Sequence, residues 1–269
     1  RRMSIPAKSF FIATPCDDGH KFCFWESLRR FEKLYHGGAL KTPHVFETFT
    51  MPGDSLVPRA RNNIASSFLT QTNHDYLVSI DSDLDFRPED ILRLADLAAA
   101  NDLDMLAGLY AIKQDDLRWC INANPDTKPD PVTGLVEITM APGGCNITHR
   151  RVFERMMDAA PTWPHWLVDY NEDGTLRELW AFYFAGVVRD LVEWPDKPRG
   201  RYLSEDWGFS YFARKLGTKI WLDEKTVMLH RGETFFPKQA RRLTAEEVAA
   251  QTINQDDGTK TPFVPPQKV

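Results

Sequence analysis

The chain has 269 residues, 42% of them apolar, with 33 Lys and Arg against 38 Asp and Glu and a formal charge of −5. That length suits one large α/β domain with a tail, or two small domains, and the apolar share can bury a sizeable core. The acidic balance argues against a broad nucleic-acid-binding face, and no apolar run approaches the roughly 18 residues of a membrane span.

Ser9 to Thr14 is short, apolar and β-rich, and Pro15 stops it, so Lys8 to Thr14 reads as a first strand. Phe22 to Tyr35 reads as a helix ended by Gly37-Gly38. His44 to Thr50 alternates as a strand does. Pro58 opens a helix with Ala60, Ile64, Phe68 and Leu69 at helical spacing. Asp75 to Ile80 is a buried strand, Pro88 takes a first helical position, and Ile91, Leu94, Ala95 and Ala98 form an apolar stripe. Asp104 to Gly108 is another strand. Strand and helix thus alternate over the first 110 residues, the pattern of a parallel sheet covered by helices. Ligands bind at the carboxyl ends of such strands, where both Thr14-Pro15 and Asp81-Ser82-Asp83 fall.

From Tyr110 to Arg201 the pattern loosens. Leu135 to Met140 and Trp180 to Val188 are strand candidates, and Arg151 to Ala159 is a helix. Ser204 to Leu216 is a helix, with a strand from Thr218 to Leu222. The Pro-rich end reads as an extended or disordered tail. Cys16, Cys23, Cys120 and Cys145 form no C-x-x-C pair and read as reduced thiols of a cytoplasmic protein. No apolar signal segment follows Arg1-Arg2-Met3-Ser4.

Five groups of residues bear chemistry. Asp81-Ser82-Asp83-Leu84-Asp85 sets carboxylates on alternate residues, which in an extended chain point one way. Mg²⁺ or Mn²⁺ takes one or two carboxylates plus substrate phosphates; solvated acids capping the Pro88 helix are the plain alternative. An EF-hand fails, because its sixth and twelfth positions hold Phe86 and Leu92, and the Gly-Thr or Gly-Val continuation of an aspartyl-phosphate phosphatase is missing. Ser204 is a good N-cap, with Glu205 and Asp206 in the first turn, either as helix-starting acids or as a general base. His230 follows an apolar stretch and completes a metal site or stays structural. Gly143 and Gly144 permit close backbone approach or form an ordinary turn. Arg59 and Arg61, at a helix start, suit a pyrophosphate or are solvated.

The order of these groups resembles that of glycosyltransferases of the GT-A fold, similar to family-2-like and viral or phage members, over residues 8 to 232. Tyr76 to Asp83, followed by Phe86, Pro88 and Glu89, is the most specific part; Glu205-Asp206-Trp207-Gly208-Phe209 through Gly217 is next. The resemblance implies an α/β fold with a mostly parallel twisted central sheet flanked by helices and a smaller acceptor-side sheet. It implies a nucleotide-binding half (8–110), an acceptor-binding half (111–232) and a tail (233–269). It implies Mn²⁺ or Mg²⁺ on Asp83 and His230, with Asp81 on the metal or the ribose beside Ser82, and Thr14 and Pro15 along the nucleoside. Arg61, joined by Arg59, would lie near the base or diphosphate, and Gly143 and Gly144 by the sugar or acceptor. Asp206 would be the base of an inverting enzyme, with Glu205 beside it on sugar or acceptor hydroxyls.

The implied activity moves one sugar from a nucleoside-diphosphate sugar, UDP favoured, to a carbohydrate or other hydroxyl acceptor, a modified DNA base included, in the cytoplasm (the host's, for a virus or phage). The Q-x-x-R-W motif of processive synthases is absent, and Asp85 has no counterpart. Two rivals remain. A non-catalytic nucleotide-sugar or carbohydrate-binding module needs the cleft but not Asp206. A nucleotidyltransferase needs a basic Gly-rich segment where Pro15-Cys16-Asp17-Asp18-Gly19 stands. Trp163, Trp166, Trp180, Tyr183 and Trp194 stack on ligands or, more simply, build core.

Overall fold

The computed structural model describes residues 5–16, 22–114, 118–121, 127–159, 166–170, 176–232 and 235–236. The expected tail and Trp163 lie outside these, apart from Phe235 and Phe236. In chain order the first half holds β1 (Ser9–Pro15), α1 (Phe22–His36), β2 (Val45–Met51), α2 (Val57–Gln71), β3 (Tyr76–Ile80), β4 (Leu84–Asp85), α3 (Pro88–Ala100) and β5 (Met105–Tyr110). The second holds β6 (Val136–Ile138), β7 (Cys145–His149), α4 (Arg150–Asp158), β8 (Trp166–Tyr170), β9 (Leu176–Trp180), β10 (Gly186–Val188), β11 (Arg201–Leu203), α5 (Glu205–Lys215), β12 (Ile220–Arg231) and β13 (Phe235–Phe236).

The central sheet runs β13-β12-β5-β7-β3-β1-β2, with β4 and β6 paired to β12. Strands β2, β1 and β3 are parallel, β7 is antiparallel to both β3 and β5, and β12 is parallel to β5. Only β7 reverses the direction shared by these core strands. Two small hairpins, β8-β9 and β10-β11, stand apart from the sheet. The architecture is therefore α/β, with a large, mostly parallel sheet flanked by helices, the class that the resemblance implies.

Every residue of β3 is buried, as a strand covered on both faces requires. Alternation divides the core in two. Phe10, Ile12, Tyr76, Val78 and Ile80 face α1 and α3, meeting Phe24, Leu28, Phe31, Ile91, Leu94 and Ala98. Phe11, Ala13, Leu77, Met105 and Ala107 face α2, α4 and α5, meeting Ile64, Phe68, Phe153, Phe209 and Ala213. Tyr183 and Trp194 are buried and Trp180 packs partly buried against the second core, so these three build core. All four cysteines are free, and among the described residues no helix is long and apolar enough to cross a membrane.

Three of the departures from the sequence reading bear on the site. Trp180 to Val188 is not one strand: β9 ends at Trp180 and β10 starts at Gly186. Between them the Asn62 amide grips the Tyr183 backbone, donating to its carbonyl (3.1 Å) and accepting from its N–H (2.8 Å). The Thr218 to Leu222 strand extends through a bulge between Asp223 and Val227 as far as Arg231. Asp223 anchors that bulge, bound by Arg93 (2.6 and 2.9 Å) and Thr226 (2.6 Å). Strand β7 was not expected at all. It passes straight into α4, where Arg150 donates to the carbonyls of Phe68, Leu69, Thr72 and His74. All four carbonyls lie in the last turn of α2 or beyond it, where a helix runs out of backbone donors of its own.

His149, the last residue of β7, caps α4 by accepting from Arg151 N–H (3.1 Å). Burial, with the Arg151 and Lys8 charges, pushes its pKa down to about 4. The folded protein thus keeps this ring neutral over a range in which the unfolded chain, near about 6.5, takes up a proton. Stability contributed this way is complete above about pH 6.5 and falls away as the pH drops towards about 4. His149→Asn, which retains a cap without titrating, should flatten the pH dependence of the urea midpoint between about pH 6.5 and about pH 4.5. An unchanged dependence would refute the assignment.

Candidate active site

Strand β3 delivers Asp81 to the carboxyl edge of the sheet, and β7 meets it there. Ile80 pairs with Cys145, and Asp81 N–H donates to the Gly144 carbonyl (3.0 Å). Gly143-Gly144 is thus a close approach rather than a simple turn. A Cβ on Gly143 would lie 2.9 Å from Arg61 Nη2 and 3.0 Å from Asp206 Cβ. One on Gly144 would lie 2.8 Å from the Tyr110 hydroxyl and 2.9 Å from Asp81 Oδ2.

Arg61 closes the cluster. Its side chain, 5% exposed, donates from Nη1 to Gly143 O (2.8 Å) and from Nη2 to Asp81 Oδ1 (2.7 Å), and its Nε lies 3.4 Å from Glu205 Oε1. Burial favours the neutral form, but Asp81 and Glu205 more than reverse this and raise the pKa. Arg61 is therefore an internal cross-link, not a solvated cation at a helix start. Burial also raises the pKa of Glu205, helped by Asp206 and opposed by Arg61.

Helix α5 presents Glu205 and Asp206 from its first turn. Asp206 Oδ2 accepts from Gly143 N–H (3.0 Å), and Oδ1 accepts from Trp207 N–H (2.8 Å) and the Ser204 hydroxyl. Ser204 holds the N-cap position, yet its side chain makes no cap bond; its hydroxyl orients Asp206 instead. Gly208 seats the helix, because a Cβ there would meet the Phe184 carbonyl oxygen at 2.0 Å.

The second half of the site forms on the other side of Asp81. The Asp81 carbonyl accepts from Leu84 N–H (3.1 Å), so Ser82 and Asp83 form a turn and the chain is not extended here. The three carboxylates consequently diverge, contrary to their expected common direction. Asp81 faces Arg61. Asp85 accepts from Ser27 Oγ on α1 (2.5 Å), which makes it an internal tie. Asp83 faces His230 and Lys113.

His230 reaches Asp83 because the far end of β12 pairs with β4, Leu229 with Asp85 and His230 with Leu84, and Arg231 N–H donates to Asp83 O (2.7 Å). Its Nδ1 lies 2.8 Å from the Ala111 carbonyl and its Nε2 3.4 Å from Asp83 Oδ2. A carbonyl can only accept, so Nδ1 carries a proton there and Nε2 is the ring nitrogen turned towards Asp83. Burial would raise the Asp83 pKa, but His230 and Lys113 bring it down to about 2. Among the described residues no group of three or more His, Cys, Asp or Glu side chains gathers as a metal site. One carboxylate and one imidazole fit an ion whose remaining ligands come from substrate phosphates.

The other residues singled out are more distant. Thr14 and Pro15, both buried, end β1 at the same edge at which β3 ends. Arg59 is engaged by Asp54 (2.9 to 3.2 Å) rather than by the carboxylates of the cluster. The sequence pattern gave no role to Lys113, Tyr110 or Asn62. Tyr110 accepts from Gly144 N–H (2.9 Å) and lies edge-on to His230 (5.2 Å), so it touches both halves of the site.

Arg61→Met would leave Asp81 and Glu205 facing each other without their counter-charge. It should cost about 3 kcal/mol in urea unfolding, and Arg61→Lys should recover only part of this, having no fork of donors. A loss below about 1 kcal/mol in Arg61→Met would show the cross-link to be dispensable. Gly208→Ala should cost about 3 kcal/mol by forcing α5 off Phe184. A wild-type midpoint would refute that packing.

No protein-family model and no curated protein sequence matches the chain. Among solved structures it is similar to A197 from STIV, at 14% identity and TM-score 0.49, over 84% of this chain and 86% of that one. It is similar to S. aureus TarS 1–349 in complex with UDP-GlcNAc, at 12% identity and TM-score 0.45, over 82% of this chain and 57% of that one. It is similar also to GalNAc-T7 with UDP, GalNAc and Mn²⁺, at 13% identity and TM-score 0.40, over 80% of this chain and 42% of that one.

Proposed function

We propose that the chain is a metal-dependent glycosyltransferase that moves one sugar from a nucleoside-diphosphate sugar, UDP favoured, to an acceptor hydroxyl with inversion. The observation behind this reading is the convergence at one sheet edge of two chemically different groups, Asp83 with His230 and Arg61 with Asp81, Glu205 and Asp206. A metal-and-diphosphate position beside a fixed carboxylate is what such a transfer requires. Residues 8–110 would supply the donor side and 111–232 the acceptor side.

Asp83 and His230 would hold Mn²⁺ or Mg²⁺, which when bound neutralises charge on the leaving diphosphate. Asp81, fixed by Arg61, would meet the ribose or the ion beside Ser82, and Thr14 and Pro15 would line the nucleoside. Gly143 and Gly144 would lie by the sugar or acceptor. Asp206 would take the acceptor hydroxyl proton as that oxygen bonds to the anomeric carbon and the carbon–phosphate-oxygen bond breaks. Its three hydrogen bonds aim it, which is the positioning a general base needs. Glu205 would contact sugar or acceptor hydroxyls.

The test is a panel of nucleotide-sugars with Mn²⁺, reading binding and slow hydrolysis. One UDP-sugar should bind and be hydrolysed. Asp83→Ala should weaken metal-dependent binding, whereas Asp206→Asn should keep it and lose turnover by about 10²–10⁴. No binding to any member would overturn the reading. Binding without turnover in the wild type would favour a non-catalytic module, and full turnover in Asp206→Asn would remove the base from Asp206.

A further inference from the structure

Lys113 has no place in that scheme, yet its ammonium is bonded to the carboxylate assigned to the metal. Lys113 Nζ and His230 Nε2 address the same atom, Asp83 Oδ2. Both are governed by one short stretch of chain after β5. Ala111 O receives Nδ1 of His230, and Lys113 follows two residues later. The stretch is held in place: Ala111 bridges to Trp119, Ile112 N–H donates to Arg118 O (2.8 Å), and Gln114 N–H donates to Ile112 O (2.8 Å). The backbone that orients the histidine therefore also sets the reach of the lysine.

The two contacts differ in kind. His230 offers a lone pair, which a divalent ion can use. Lys113 offers only donors and a positive charge, so an ion between Asp83 and His230 and an ammonium on Oδ2 exclude each other. The lysine side chain is 39% exposed and has a flexible four-carbon stem. It can leave by changing rotamer while its backbone stays in place. Once displaced, the ammonium remains within its stem's reach of whatever phosphate oxygens ligate the ion.

We propose that Lys113 is the counter-cation of Asp83, exchanged for a divalent ion, and that the freed ammonium then binds the donor's diphosphate. This rests on the metal site of the proposed function and adds a positioning residue to it. The exchange has a thermodynamic consequence. Lys113 opposes the ion when the ion comes alone and supports it when it comes with a diphosphate. The ion and the nucleotide are thereby coupled, each raising the other's affinity by the same factor.

The test uses the full chain with Mn²⁺ alone, read as free Mn²⁺ by electron paramagnetic resonance, and with UDP at saturating Mn²⁺, read by calorimetry. Lys113→Met should bind Mn²⁺ alone about fivefold more tightly than the wild type, the effect of removing a half-exposed ion pair. It should bind UDP in the presence of Mn²⁺ about fivefold more weakly, for the loss of a comparable pair with phosphate. Lys113→Arg, which keeps the charge, should stay near the wild type in both. If Lys113→Met binds Mn²⁺ no more tightly, or not at all, the exchange is overturned. If its UDP affinity is unchanged, the diphosphate contact is overturned. Asp83→Ala separates this from a failure of the parent reading: Mn²⁺ binding that survives Asp83→Ala would put the ion elsewhere, whatever Lys113→Met does.

Discussion

The buried guanidinium of Arg61 is the constraint on which the site depends. It comes from α2, yet it fixes the end of β3 through Asp81, the approach to β7 through Gly143 O and the start of α5 by facing Glu205. A guanidinium withdrawn from water is costly unless acceptors of matching geometry surround it. That cost makes the arrangement specific, because few positions of these elements satisfy the planar fork. The need for glycine at 143 follows, since the fork occupies the space of any side chain there. So does the setting of Asp206, which takes its N–H from the same Gly143.

Around this cross-link the acidic motif divides rather than gathers. The turn at Ser82-Asp83 sends Asp81 towards a buried cation and Asp83 towards an imidazole and an exposed one. Two carboxylates two residues apart thus each face a cation, Asp81 a buried one and Asp83 a partly exposed one. Asp85 has left the cluster altogether and joins α1 to β4. Tyr110 spans the gap, its hydroxyl on Gly144 and its ring against His230.

How much of this could be read from the sequence depends on whether a signal is local. The run Tyr76 to Ile80, the stripe of α3 and the acids that start α5 are short-range patterns, and each stands where periodicity put it. The same sequence could not show that Arg61 is buried while Arg59 pairs with Asp54 nearer the surface, because only Gly143 and Glu205, remote in the chain, make the difference. Strand β7 escaped because Cys-Asn-Ile-Thr-His is brief and half polar, and its identity as a strand comes from the neighbours on either side. The spread of Asp81, Asp83 and Asp85 was misjudged on the assumption of an extended chain, which the Asp81–Leu84 turn breaks. Lys113 is a single lysine in a loop, with no pattern to mark it before Asp83 and His230 are placed.

The reversed strand also bears on how the chain can be divided. In the sheet, β3 and β5 are not neighbours; β7 lies between them and pairs with both. A polypeptide ending at Tyr110 would hold β1, β2, β3 and β5 with an open slot in the middle and two unsatisfied strand edges facing it. Residues 8–110 and 111–232 are therefore not separable folding units. During synthesis the slot stays open until residue 149 is available, and the cluster around Arg61 waits longer still, since Asp206 must join Gly143 across 63 residues of chain. Closure over such separations is slow compared with local helix formation.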